Sequence, residues 1–390
     1  MRAARTTSRY PVHERRNRFG PLPQLLIAMA AVILAACALT LTSSKPVAAA
    51  PPGSVTPDCA TGVDFLGFSD VLNKRTFEGT SVGGLSGLTY DQRRKVYYSV
   101  VDNGPTASSP ARFYTLRLPL KGEQLGTPQI LDVTTLKDAN GQPFTGANFD
   151  GEGIALTRQG ELLISSETEP SIRRFALDGG LLEELPVPQK FRVVPEGQAQ
   201  RNQTFESLSL SSNNRSLFTA VEGPLTSDGK TADGSNRIRI LRYEDRGPGG
   251  FQPVEEFFYL AEPGQGVVEI VALSEDELLV LERGFVAGEG NTVRIFRVSL
   301  EGAEDVSDEP TLAEPSLVPV EKELLVDLAD CPPSGATSPG TQQNPLLDNF
   351  EALALGPRLP GGSQALILVS DDNFNPGQVT RVVTLGARLR

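Results

Sequence analysis

Asp150-Gly151-Glu152-Gly153-Ile154-Ala155-Leu156, a polar turn at Arg158-Gln159-Gly160, and then Leu162-Leu163-Ile164-Ser165-Ser166-Glu167 form the stretch that decides the fold. Two short apolar runs separated by a glycine-containing turn read as a β-hairpin. A carboxylate opens the hairpin and another closes it, so both belong at its open end, away from the turn. The phrase recurs in four further places. These are Ser86-Gly87-Leu88-Thr89-Tyr90 with Asp102, Glu206-Ser207-Leu208-Ser209-Leu210 with Glu222, Glu269-Ile270-Val271-Ala272-Leu273 with Glu282, and Glu351-Ala352-Leu353-Ala354-Leu355 with Asp371. In every copy the point midway between the two polar ends falls in a turn-rich stretch, as at Pro360-Gly361-Gly362. The expected register therefore sets each opening group opposite its closing partner, Glu152 opposite Glu167.

Each hairpin is followed by further strand-like runs in which apolar and charged residues alternate, the mark of strands wet on one side. Third strands are expected at 112–116, 171–177, 237–243, 292–298 and 378–385, and fourth strands at 129–133, 181–187, 255–260 and 323–328. The last unit lacks a fourth strand, while the strand-like residues 63–68 near the N-terminus are spare. Letting that strand complete the last unit closes a ring, the way a β-propeller fastens itself. The expected fold class is all-β, a β-propeller of five counted blades; the length leaves six open, but no sixth hairpin is found. No long apolar pattern of helical period follows residue 50.

The organisation expected is an export signal at 1–50, a Pro-rich lead-in at 51–62 and one propeller domain at 63–390. Residues 2–18 are basic, 25–41 almost wholly apolar, and Val47-Ala48-Ala49-Ala50 supplies small residues for cleavage. A lipoprotein-type anchor at Cys37 and an uncleaved membrane anchor stay open as alternatives to simple secretion, periplasmic or extracellular. With Cys37 removed, Cys59 and Cys331 remain, and in an exported chain such a pair suggests a disulfide, two free thiols being the alternative. Cys59 precedes the closing strand and Cys331 follows the last strand of the neighbouring unit, so a bridge would staple the closure.

The formal net charge is −12 over 390 residues, but the first fifty carry seven basic residues and one acidic. The remainder has 29 basic against 47 acidic residues, a net of −18. That argues against nucleic acid and anionic lipid surfaces and favours a bound cation or a basic partner. The single histidine, His13, sits in the leader. A mature chain without histidine has no Ser-His-Asp triad and no His-ligated zinc or iron. Any metal must sit on oxygen ligands, which points to calcium or magnesium.

Hairpin ends are where chemistry is expected. Asp102, Glu152, Glu167, Glu206, Glu222, Glu269, Glu282, Glu351, Asp371 and Asp372 are the candidate metal ligands, and Glu206, Glu152 and Glu351 the candidate catalytic carboxylates. Two carboxylates about 5 Å apart repel by roughly 3 kcal/mol at an effective dielectric near 20, so a ring of them needs protons, Arg or Lys partners, or a cation. Arg283, directly after Glu282, and Arg237 are the candidate substrate-binding cations. The plainer reading is that a carboxylate opening an inner strand bonds backbone amides of the next blade and locks the blades together.

Phe149-Asp150-Gly151-Glu152-Gly153, Ser165-Ser166-Glu167, Thr204-Phe205-Glu206-Ser207, Val221-Glu222-Gly223-Pro224, Asn349-Phe350-Glu351-Ala352 and Ser370-Asp371-Asp372-Asn373 together resemble the phytase-like family, described as having esterase-like activity of phytase. The resemblance covers roughly 80–385. It implies an exported bacterial β-propeller that hydrolyses a phosphoester or carboxylic ester. The related calcium-dependent propeller phytases imply metal-bound water on a carboxylate-lined face. The expectation is a monomeric exported hydrolase of small-molecule esters or phosphoesters with a calcium-type cofactor. The alternative from another class is a non-catalytic propeller that binds a protein or glycan through its loops.

Overall fold

A computed structural model describes residues 58–104 and 108–389. The expected export signal, Cys37 and His13 lie outside these residues. Among the described residues the regular structure is strand throughout, apart from three single-turn 3-10 segments.

Five antiparallel sheets follow one another along the chain. The first is Leu85–Asp91, Val96–Val101, Arg112–Arg117 and Gln129–Thr135. The second is Gly151–Leu156, Leu162–Ser166, Ser171–Phe175 and Leu181–Glu184. The third is Ser209–Leu210, Ser216–Ala220, Ser235–Asp245 and Phe251–Pro263, and the fourth is Gly266–Ala272, Glu277–Val286, Gly290–Ser299 and Glu321–Asp327. The fifth takes Phe350–Arg358, Gln364–Ser370 and Val382–Ala387 from the C-terminal part and Val63–Ser69 from the N-terminal part. Inner strands of successive blades are neighbours, and that of the fifth blade returns to the first, so the ring is closed with five blades.

The closing strand carries one more, Asp58–Ala60, on its outer edge. Cys59, on that added strand, is disulfide-bonded to Cys331, just past the outer strand of blade four. The bridge ties the closing element to the neighbouring blade, as the cysteine positions suggested.

Apolar side chains pack between blades. Val100 of blade one meets Ile154 and Ile164 of blade two in one cluster, while Leu88 and Tyr97 of blade one meet Ala354 and Ile367 of blade five in another. Inner-strand backbones approach so closely that side chains are excluded at some positions. A Cβ at Gly153 would lie 2.5 Å from the backbone of Leu208, on the next inner strand. Glycine follows the opening carboxylate there for that reason.

One feature of register departs from the expected pairing. At the open end of each hairpin the inner strand carries one extra residue. Gly151 pairs with Ser166 but Ile154 with Ile164; Phe350 pairs with Ser370 but Ala352 with Val369; Leu85 pairs with Val101 but Gly87 with Val100. Val267 and Glu269 flank the same shift in blade four, and Phe205 and Ser209 in blade three. Glu152 is therefore not opposite Glu167, whose backbone amide bonds the Asp150 carbonyl at 3.1 Å instead. A bulge frees one residue from the ladder and re-aims its side chain. The bulged residues are Ser86, Glu152 and Glu351, with Glu206 in the corresponding position of blade three.

Candidate functional site

The bulges place their side chains at one end of the propeller axis, where a cavity of about 330 Å³ opens. Its wall contains Glu152, Glu206 and Glu351 from the bulges and Asp102, Glu167 and Glu222 from the ends of the second strands. Each of the latter three lies one residue beyond the outermost hairpin pair. Asp371 occupies the same place in blade five, fully buried behind Glu351.

Blade four breaks the pattern. Its bulge position holds Val268, and the position after the Val267–Glu282 pair holds Arg283. Glu269, one place inward of the bulge, turns into the protein and accepts from the Leu208 amide at 3.2 Å and its neighbour Ile270 at 2.9 Å. It is an inter-blade lock. Glu282, one place short of the ring, turns to the outer strands, where it accepts from the Glu262 amide at 2.8 Å, Lys322 Nζ at 2.7 Å and the Tyr259 hydroxyl at 2.5 Å. Neither expected ligand reaches the mouth, because a one-residue offset reverses the side a strand residue faces. Asp372 is likewise spent: it accepts from the Gly84 and Phe374 amides, each at 3.1 Å, and pairs with Lys74 at 2.5 Å. Arg237 lies off the mouth; its guanidinium donates to the Asp228 and Lys230 carbonyls and holds the loop before it.

Arg283 is the one cation on the wall of the mouth among the described residues. It donates to Glu222 at 3.2 Å and Glu351 at 3.0 Å, and Asn349 also donates to Glu351 at 3.0 Å. The other half of the mouth has no such neutralisation. Oxygens of Asp102, Asp150 and Glu152 lie within 4.8 Å of one another, as do those of Glu152, Glu167 and Glu206. Glu152 uses one oxygen to accept from Ser86 at 2.6 Å, and Asp150 one to accept from the Asn103 amide at 3.0 Å. Their second oxygens, with one each of Glu167, Glu206 and Asp371, are buried without a hydrogen-bond partner. Asp150 was visible beside Glu152 in the sequence but was not among the expected ligands.

The electrostatic consequence is uniform in sign. Burial, reinforced by neighbouring carboxylates, pushes Asp150 up to about 9 and Glu167 up to about 8. It pushes Glu152, Glu206 and Asp371 well above the usual carboxylate range. Burial also raises Glu351, but Arg283 opposes it, and it settles at about 7. Desolvation disfavours the charged form and like charges add to it.

Sequence reading quoted Asn349 and Asn373 beside the carboxylates but missed the rest of the upper wall. Asn202, Phe285, Asn291, Asn349, Asn373 and Gln378 line the cavity beside the carboxylates. Phe285 and Asn291 sit on a hairpin that runs past the ring through Arg283-Gly284-Phe285-Val286 before turning back at Gly290. The only signal for it was the apolar continuation after Arg283.

A ring of bulge-borne carboxylates at the axis of a five-bladed propeller defines the class: a β-propeller with an acidic, small-molecule-sized mouth. The chain belongs to the phytase-like family, described as esterase-like activity of phytase, whose model matches residues 80–374. No curated protein matches it. Among solved structures it is similar to the tail fibre of Staphylococcus aureus phage P68, with 12% identity and a TM-score of 0.38 over 83% of this chain and 53% of that one. It thus spans about half the length of the tail fibre. It is also similar to a periplasmic gluconolactonase of Pseudomonas aeruginosa, with 16% identity and a TM-score of 0.34 over 81% and 89% of the two chains. A PQQ-bound aldose sugar dehydrogenase from Streptomyces coelicolor shows 16% identity and a TM-score of 0.34 over 83% and 84%.

Proposed function

We propose that this protein is an exported hydrolase of small-molecule esters, phosphoric or carboxylic, whose acidic mouth holds a divalent cation of the calcium type. One observation carries the reading: two carboxylate groups that share Glu152, one with Asp102 and Asp150 and the other with Glu167 and Glu206, contain buried oxygens of Asp150, Glu152, Glu167 and Glu206 without hydrogen-bond partners. Unpaired buried carboxylates are costly, and an oxygen-ligated cation is the group that satisfies several at once. The residues fit calcium better than zinc, since the mouth offers carboxylates and amides and no histidine or thiol. Asp102, Asp150, Glu152, Glu167 and Glu206 would hold it. Bound there, a cation would supply Lewis acidity and a lowered water pKa. The family description supports the reaction class.

The chain's own residues divide the remaining work. Arg283 fixes Glu222 and Glu351 on the far wall and keeps Glu351 near neutrality. A carboxyl poised there takes a proton from water and returns it to a leaving oxygen at neutral pH. The Cys59–Cys331 disulfide supports an oxidising compartment.

The test is release of nitrophenol from p-nitrophenyl phosphate and p-nitrophenyl acetate by the purified protein, with calcium and with chelator. Turnover that needs calcium and is lost in Glu206→Gln is expected. No turnover of either compound, with the protein folded and calcium bound, refutes the hydrolase reading and leaves a calcium-fastened binding propeller.

A further inference from the structure

The upper wall of the mouth carries a recognition surface of a different chemistry from its floor. Phe285, the one aromatic among the described residues that line the cavity, is 63% exposed. Its cross-strand partner is Asn291, so the two share one face of the overhanging hairpin. Asn291 is only 8% exposed. The backbone there is held from behind, where the Asn291 amide donates to Gln342 at 2.8 Å. Asn202, Asn373 and Gln378 add further side-chain amides to the lining.

The same wall has no cation to spare. Arg283 is committed to Glu222 and Glu351, and every other charged group of the lining is a carboxylate. A ligand bearing several negative charges finds no uncommitted guanidinium or ammonium on this lining to pair with. A neutral ligand rich in hydroxyls meets the opposite: carboxylates that accept, amides that accept and donate, and a flat apolar ring for its carbon face. The cavity, at about 330 Å³, suits a small cyclic molecule.

We propose that the mouth recognises a neutral, polyhydroxylated ring, the chemistry of a sugar or sugar ester, with Phe285 as its platform and Asn291 as its buried polar contact. The proposal rests on the reading of the acidic mouth as a small-molecule site and names the substrate class. It assigns specificity to the hairpin of blade four rather than to the carboxylate ring.

Isothermal titration of the full-length protein with methyl β-glucoside, myo-inositol and inositol hexakisphosphate, each with calcium and with chelator, tests it. At least one neutral ring is expected to bind. Phe285→Ala should weaken that binding about tenfold, the size of an aromatic contact, and Phe285→Tyr should restore it. Phe285 is exposed, so folding is not at stake. Binding of the hexakisphosphate in chelator with no binding of either neutral ring overturns the proposal, as does neutral-ring binding that is indifferent to Phe285→Ala. If the nitrophenyl esters turn over but no neutral ring binds, the substrate class fails and the hydrolase reading stands. If a neutral ring binds through Phe285 and no ester turns over, the recognition stands and the hydrolase reading falls.

Discussion

Stripping divalent cations should make this protein less stable as pH rises through neutrality. Asp150, Glu167 and Glu351 titrate at about 9, about 8 and about 7 in the folded chain, against 3.8 and 4.5 for exposed Asp and Glu. Their folded values are raised, so their contribution is fully present below about pH 4 and is lost as pH climbs through the folded values. At pH 7 the folded chain holds roughly two to three more protons on these groups than the unfolded chain, which corresponds to roughly 3 kcal/mol lost per pH unit. A cation on the oxygens of Asp150 and Glu167 displaces their protons and opposes the trend. Thermal melts from about pH 5 to about pH 9, in chelator and in calcium, should show a Tm that falls in chelator and a calcium increment that grows across the window. Calcium added to weakly buffered protein at pH 7 should release protons. A chelated Tm that is flat or rises over this range, or calcium binding without proton release, would mean the carboxylates are ionised and satisfied without a cation.

Four further outcomes are expected. Arg283→Gln leaves Glu222 and Glu351 facing each other without their guanidinium; the pH profile of turnover should move upward, because the group that holds Glu351 down is gone. Arg239→Met strands Asp228 and leaves Glu256 with Lys190 alone; Arg239 joins both carboxylates at 2.8 Å between the outer strands of blade three, and its loss should cost about 3–5 kcal/mol by chemical denaturation while calcium binding is retained. Cys59→Ser together with Cys331→Ser opens a link across 272 residues and should cost roughly 2–5 kcal/mol, read as a lower denaturation midpoint. Gly153→Ala drives a methyl into the Leu208 backbone of the next inner strand and should lower Tm by several degrees, as an overpacked core does at a cost of about 1–3 kcal/mol.

The sequence by itself determined the architecture. Hairpins are local objects, and their period, turns and outward alternation are written in consecutive residues. The spare strand at one end and the missing strand at the other required closure, and the cysteines marked where it is stapled. It also determined that carboxylates, not histidines, stand at the hairpin ends, since the single histidine is His13. Only the tertiary structure decided which carboxylates meet. A single extra residue in each inner strand, invisible to local pattern, turns Glu152 and Glu351 to the axis. In blade four it leaves Glu269 and Glu282 on either side of the ring, with Val268 and Arg283 in the ring positions. Side-chain direction alternates residue by residue, so an offset of one decides between a lock inside the protein and a wall of the mouth. The orphaned oxygens and the raised carboxyls likewise arise only once the blades bring these groups together.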